Sequence, residues 1–176
     1  RDHTEIMLES FGADIDVKKN GNSSEIKISG KKKLIPKNID VPADLSSSAF
    51  FIVAALINKN SDTTLENINI NPTRNGLLIA LQKMGAKIKI SNKKIIAGEI
   101  VADLNIKSSD LNGCELDHEM AKLMIDEFPI LSIAASQANS PSLFKGLNEL
   151  RVKESDRLDL INRNLNNCGC YSKIND

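Results

Sequence analysis

The amino-acid sequence predicts an α/β protein built from a repeated unit whose helices are enclosed by sheets. Three observations carry this expectation. The segments Met7 to Val17, Leu77 to Ile90 and Leu160 to Ile174 each end a helical pattern in a glycine and then turn into alternating apolar residues. Phe50 to Leu65 and Phe128 to Leu143 align without a gap as apolar helix, polar turn and strand. Ser48 to Ile57 is apolar nearly all round, and Phe128 to Ala135 is broken only by Ser132, so both helices belong in an interior. Interior helices need covering sheets, the reverse of a doubly wound domain with central parallel strands.

Along the chain, Gly12, Gly85 and Gly169 align, and the residues four positions before them are Leu8, Leu81 and Leu165, one helical face in each copy. Glycine there predicts a left-handed C-terminal cap, and the alternation beyond it predicts a strand. Lys18 to Lys33 is polar, with Gly21 and Gly30 flanking alternating Glu25 to Ile28, and reads as a hairpin with one face in solvent. Ile35 to Asp44 leads into the first buried helix, with Asp44 or Ser46 as its N-cap. The change from exposed hairpin to buried helix places a domain crossing near Asp40 to Ser46. Residues 1–40 then close one globular domain, and residues 41–176 form part of a second, holding two repeat units, the last truncated. Lys87 to Ile106 adds short strands around Ser91, Asn92 and Gly98.

Composition narrows the function classes. At 176 residues the chain can bury a sizeable core, roughly 70% of its unfolded surface. Hydrophobic residues at 41% and charged residues at 26% fit a soluble globular protein. The 23 basic and 23 acidic side chains cancel, which removes a general attraction to nucleic acid or anionic membrane, so phosphate recognition must be local. The longest apolar run, Ala49 to Ile57, falls far short of the roughly 18 residues of a membrane helix. Cys168 and Cys170 flank one glycine and, with Cys114, match neither a disulfide framework nor a zinc site; reduced cytosolic thiols are expected. Arg1 in place of methionine, and an ending inside an alternating pattern, read as an internal piece of a longer chain, so the lack of a leader says nothing.

Chemistry-bearing side chains concentrate in Glu149 to Leu158 (ELRVKESDRL), with seven polar or charged residues where the repeat's second helix begins. This copy is also longer: from Leu143 to Gly169 it has six more residues than from Leu65 to Gly85. Insertions on a rigid scaffold often carry function. The plain reading is a solvated helix start with Ser155 as N-cap and Asp156 in the first turn. The functional reading is that Lys153 and Arg157, sharing a face if both are helical, converge on one anion beside Glu154. Asp126 and Glu127 precede the second buried helix, either capping it or supplying a general base there. Asn71 to Arg74 (NPTR) reads as a turn with a helix cap, leaving Arg74 a weak candidate. His3 and His118 lack a nucleophile partner and read as surface or structural.

The stretch Glu149 to Leu158 closely resembles the signature of the shikimate-pathway enolpyruvyl transferases, the 5-enolpyruvylshikimate-3-phosphate synthases. Met124 to Ile130 (MIDEFPI), Asp44 to Phe50 (DLSSSAF) and Asn71 to Arg74 resemble further family motifs, in the family's order. Arg1 to Glu5 (RDHTE) and the glutamate at position 149 resemble the class II branch. The resemblance implies two domains of βαβαββ units forming an inside-out α/β barrel, of which this chain holds a part. It implies transfer of the enolpyruvyl group of phosphoenolpyruvate to the 5-hydroxyl of shikimate 3-phosphate, with release of phosphate, in chorismate and aromatic amino-acid biosynthesis. By position, Asp126 matches the carboxylate that takes the 5-hydroxyl proton, and Lys153 the lysine near that hydroxyl. Glu154 matches the carboxylate that moves a proton at the phosphoenolpyruvate methylene, Arg157 an arginine binding phosphoenolpyruvate, and Arg1 a substrate-binding position. No metal or organic cofactor is implied, nor any nucleic-acid or membrane partner, and the expected full-length protein is a cytoplasmic monomer.

The family's N-terminal lysine-serine-arginine cluster, its serine-x-glutamine segment and its later aspartate-histidine-arginine and lysine are missing here, so residues 1–176 alone are expected to be inactive. Two alternatives stand beside this reading. One is the sister transferase acting on UDP-N-acetylglucosamine, against which the Lys153 to Arg157 signature argues. The other is a non-catalytic anion-binding module of the same fold, against which the presence of Asp126, Lys153, Glu154 and Arg157 argues.

Overall fold

A computed structural model describes residues 1–21 and 23–175. Helix α1 (His3–Ser10) runs into a hairpin of β1 (Asp14–Asn20) and β2 (Ser23–Ser29), antiparallel with Asp14 opposite Ser29 and Asn20 opposite Ser23. The hairpin lies where its polar alternation placed it. It exposes both faces, however, including Val17, Ile26 and Ile28, because a two-stranded ribbon has no layer against either side among the described residues. Residues 32–42 carry neither helix nor strand.

The repeat then begins. Ala43 forms an isolated parallel bridge with Ile68, and Asp44 caps α2 (Leu45–Ile57), its carboxylate accepting from the Ser47 amide at 2.7 Å. After α2 come β3 (Asp62–Asn69), α3 (Gly76–Lys83), β4 (Lys87–Ile96) and β5 (Glu99–Lys107). The three strands form an antiparallel sheet in the order β3-β5-β4. Lys87 to Ile106 thus holds two longer strands joined at Ala97–Gly98, both with positive φ as such a tight hairpin needs. Each edge strand carries a register shift with an asparagine at positive φ, Asn67 in β3 and Asn92 in β4. Asp103 of the central strand ties both, accepting from the Asn67 amide at 2.9 Å and from Asn92 Nδ2 at 2.7 Å.

The second unit repeats the plan with less sheet. It runs β6 (Glu115–Leu116), α4 (His118–Met124), a 3₁₀ turn over Ile125–Glu127, α5 (Phe128–Ser136) and β7 (Leu143–Phe144), with β6 and β7 parallel. A second 3₁₀ turn, Asn148–Val152, precedes α6 (Arg157–Asn167). Part of the extra length of this copy lies between β7 and α6, where that turn and the charged stretch sit, and the rest lengthens the helix, 11 residues in α6 against 8 in α3.

The three aligned glycines adopt one geometry. Gly12, Gly85 and Gly169 have φ of 87°, 89° and 81°. In each copy the residue after the glycine donates its amide to the aligned leucine: Ala13 to Leu8 at 3.0 Å, Ala86 to Leu81 at 3.0 Å, Cys170 to Leu165 at 2.9 Å. The glycine amides bond Glu9, Gln82 and Asn166, completing the double-bonded left-handed cap. Beyond the cap, β1 and β4 form as the alternation requires. Beyond Gly169 no strand forms, because Cys170 to Asn175 has no neighbouring strand among the described residues, and alternation cannot replace a pairing partner.

The core gathers Leu77 and Leu81 from α3, Met84 just after it, Leu104 and Ile106 from β5, and Phe128 of α5, all fully buried. Helix α2 sends Ile52, Val53 and Leu56 into it, yet Phe50 and Phe51 stay 61% and 66% exposed. Its enclosure is therefore one-sided: α5, β3 and β5 pack on one face, and nothing among the described residues covers the other. The glycine cap carries a definite cost of removal. Gly85→Ala meets only atoms at 3.8 Å, so its effect is backbone strain at φ 89°, an expected loss of about 1–2 kcal/mol by chemical denaturation.

Candidate active site

Three cations from two chain segments converge on Asp126. The 3₁₀ turn that holds it lies at the N-terminus of α5, where Pro129 sits in the first turn and the N-cap residue Glu127 makes no side-chain capping bond, so neither carboxylate caps the helix. Asp126 instead faces cations. Arg1 Nη2 lies 3.3 Å from Asp126 Oδ2, and Arg157 Nη1 and Lys153 Nζ lie 3.3 and 3.6 Å from Oδ1. Arg157 also forks onto Glu154, donating from Nε and Nη2 at 2.8 Å each, the bidentate geometry a guanidinium favours. Lys153 is shared with Glu149 at 2.9 Å.

Local structure explains this convergence and corrects two expectations. Lys153 is not helical: it ends the 3₁₀ turn in extended backbone, with φ −73° and ψ −162°. It reaches Arg157's ligand through the bend of residues 153–156, because a cap needs non-helical backbone ahead of the first turn. The N-cap of α6 is Asp156, not Ser155; its carboxylate accepts from the Asp159 amide at 2.9 Å and is held by Arg151 at 3.0 Å. Arg157 is thereby the first helical residue, anchored at its base, with its tip on Glu154 and Asp126.

The charges shape each group's proton affinity. Partial burial raises the Asp126 pKa, but the Arg1 hydrogen bond and the charges of Lys153, Arg1 and Arg157 outweigh it, so the carboxyl lies below its ordinary range. Glu154 is lowered chiefly by the Arg157 fork. Lys153 is raised chiefly by Glu149, and Arg157 chiefly by Glu154. The site therefore presents deprotonated carboxylates and fixed cations at neutral pH, a composition suited to anionic ligands and to proton transfer.

Asp126, Lys153, Glu154, Arg157 and Arg1, all singled out in the sequence, meet here. Sequence reasoning named the supporting groups, Arg74 as a weak candidate and Glu127 as a cap or base, but missed that they are bonded to one another through Ser46. Glu127, only 3% exposed, accepts from the Ser46 hydroxyl. Arg74 donates to Ser46 Oγ at 2.5 Å and pairs with Asp44 at 3.4 Å. Asn71 is buried and bonded to Asp2. Their signals were the motifs themselves, read as caps and turns. His3 bonds Glu99, and His118 is exposed at the start of α4. The three cysteines are free, and burial pushes the Cys114 thiol up. Among the described residues no group of three or more His, Cys, Asp or Glu side chains could hold a metal ion, and no helix is long and apolar enough to cross a membrane.

Comparison with known proteins first gives the class, a partial enolpyruvyl transferase fold. A solved EPSP synthase from Acinetobacter baumannii superposes with a TM-score of 0.86 at 46% identity, covering 94% of this chain and 37% of that one. The 3-phosphoshikimate 1-carboxyvinyltransferases of Pseudomonas sp. (strain PG2982) and Brucella melitensis biotype 2 are 50% and 51% identical over 166 residues. The family described as EPSP synthase (3-phosphoshikimate 1-carboxyvinyltransferase) matches residues 1–176, and the chain belongs to it. It spans 94% of its own length but about 37% of the curated relatives it matches.

The ion cluster sets a pH dependence. Because the folded pKa of Asp126 lies below its unfolded value, its contribution to stability is present above the unfolded pKa and is lost as pH falls through the folded one. Asp126→Asn is expected to lower the unfolding midpoint at pH 7, with the difference from the parent shrinking as the pH is taken below that of a normal aspartate. Thermal scans of both proteins across that range check it.

Proposed function

We propose that these residues serve the transfer of the enolpyruvyl group of phosphoenolpyruvate to the 5-hydroxyl of shikimate 3-phosphate. The observation that carries the reading is a single carboxylate, Asp126, set 3.3 to 3.6 Å from three cations, one at the N-terminal end of the chain and two from the stretch 153–157. Both substrates are multiply charged anions, and the reaction needs a base at a hydroxyl and a proton carrier at a carbon. Family membership and the printed names of the relatives support the same assignment.

In this mechanism Asp126 takes the proton of the 5-hydroxyl as that oxygen bonds to C2 of phosphoenolpyruvate. Glu154 delivers a proton to C3, giving a tetrahedral adduct. Glu154, now a carboxylate, removes a proton from the C3 methyl, the double bond re-forms, and the bond from C2 to the phosphate oxygen breaks, phosphate leaving with the electron pair while Asp126 gives up its proton to phosphate or solvent. Lys153 holds the sugar-like substrate near its reacting oxygen, Arg157 binds phosphoenolpyruvate, and Arg1 contributes to substrate binding. The Arg157 fork on Glu154 must open when Arg157 takes an anion. Released from the fork and set beside a multiply charged anion, the Glu154 carboxyl is pushed above its ordinary range, toward the protonated form an acid needs.

Residues 1–40 and 41–176 are taken as parts of two globular domains that meet at this site. The complete protein is read as a cytoplasmic monomer without cofactor, metal, nucleic acid or membrane partner. Residues 1–176 alone are read as inactive, given the share of the relatives they span.

The test is phosphate release from phosphoenolpyruvate by the complete protein, with shikimate 3-phosphate in one reaction and UDP-N-acetylglucosamine in another. Dependence on shikimate 3-phosphate is expected; dependence on the UDP-sugar alone moves the assignment to the sister transferase, and release with neither to a binding module. In the active protein Asp126→Asn lowers kcat by about 10²–10⁴-fold with little change in KM, as loss of a general base does. Arg157→Ala raises the KM for phosphoenolpyruvate, and an unchanged KM removes Arg157 from that role.

A further inference from the structure

The turn Asn71 to Arg74 touches both sides of the Arg1–Asp126 pair without belonging to it. Asn71 is 2% exposed, yet every hydrogen-bonding position of its amide is used. Its Nδ2 donates to Asp2 Oδ1 at 2.8 Å and to Glu99 Oε2 at 3.0 Å. Its Oδ1 accepts from the Thr73 amide at 2.8 Å and from Thr73 Oγ1 at 2.7 Å. Glu99 in turn holds His3 Nδ1 at 2.5 Å. The segment of Arg1, Asp2 and His3 is thus fastened to the turn at the residues next to Arg1.

Arg74, at the other end of the turn, faces the opposite way. Its guanidinium donates to Ser46 Oγ at 2.5 Å, and the Ser46 hydroxyl donates to Glu127. Glu127 is buried and adjoins Asp126 in the same 3₁₀ turn. The chain of contacts runs from Arg1 through Asp2, Asn71, Arg74 and Ser46 to Glu127 and back to Asp126. It joins residues 125 positions apart in sequence through one four-residue turn.

We propose that the Asn71 to Arg74 turn sets the separation of Arg1 and Asp126, with Asn71 and Arg74 as positioning residues for the site. Such a device has a physical rationale. Arg1 and Asp126 are both part-exposed, and an exposed ion pair is worth little and holds no geometry by itself. Asn71 and Glu127, the buried members of this network, are both bonded, and that part of it is rigid because breaking such a bond strands a polar group away from water. Catalytic groups need placement to a fraction of an ångström, and such rigidity supplies it. The proposal rests on Asp126 being the base.

Asn71→Ala removes the donor to Asp2 and the donor to Glu99, which holds His3, without adding charge, and Ser46→Ala cuts the link to Glu127 from the other side. The second variant keeps the test open should the first fail to fold. The first readout is the Asp126 carboxyl titration of the complete protein, followed by carbon-13 NMR with no substrate present. Either variant is expected to raise the Asp126 apparent pKa, since a looser Arg1 lowers it less. Adding Arg1→Ala to the variant is expected to move it no further. The second readout is a double-mutant cycle on kcat/KM. Arg1→Ala, costly in the parent, loses most of its effect in the Asn71→Ala background, a coupling of about tenfold. Additive losses with an unmoved Asp126 titration overturn the proposal and leave the turn a stabilising element only. A parent protein that releases no phosphate defeats the reading of function instead, while the substrate-free titration still decides the positioning.

Discussion

Helices α2 and α5 carry no charged residue, and they leave water by packing on each other, with α2 also against strands β3 and β5. Ile52 and Leu56 from one and Phe128 and Leu131 from the other are fully buried there. That dry contact brings the two helix N-termini side by side, which is why Ser46 and Glu127, 81 residues apart, can bond at all. The helix starts then form a platform. Asp44 caps one, and Asp126 stands just ahead of the other with its carboxylate turned outward. Every charged group of the site is hung from this arrangement.

The platform is polar where it could have been apolar, and that choice bears on precision. A buried carboxylate such as Glu127 is costly unless bonded, and the Ser46 hydroxyl, itself held by Arg74, supplies a directed donor. Asn71 spends its full hydrogen-bonding capacity inside the fold. Such groups contribute modest net stability and tolerate few alternative arrangements, so they specify one geometry where apolar packing would admit several.

At the surface of this platform the logic reverses. Arg157 is saturated by Glu154 and Asp126, and Lys153 is shared between Asp126 and Glu149. These pairs are partly exposed, hence weak and exchangeable. An anionic ligand can replace the carboxylates at the cations, and each carboxylate so released regains proton affinity. Rigid backbone beneath and exchangeable charges above are compatible because burial differs between the two layers by only one turn of chain.

Much of this was legible in the sequence where the determinants are local. The left-handed caps at Gly12, Gly85 and Gly169 depend on one turn of helix and a residue without a side chain, so their spacing alone exposed the repeat and its helices. The cap at Asp44 and the hairpins belong to the same class, and the residue types of Glu149 to Leu158 marked where chemistry gathers. What depended on distant partners was not legible. The alternation after Gly169 finds no neighbouring strand, the first hairpin has no layer on either face, and α2 keeps Phe50 and Phe51 in solvent. The roles of Asn71, Ser46 and Glu127 likewise emerge only from burial, since an asparagine or glutamate before a helix reads as a cap until the fold shows what packs over it. The sequence by itself determined the repeat, its helices and the identity of the charged groups, because these rest on short-range geometry and side-chain chemistry. Tertiary structure decided which charges meet, because Arg1 and Asp126 are brought together by core packing across 125 residues and by no local preference.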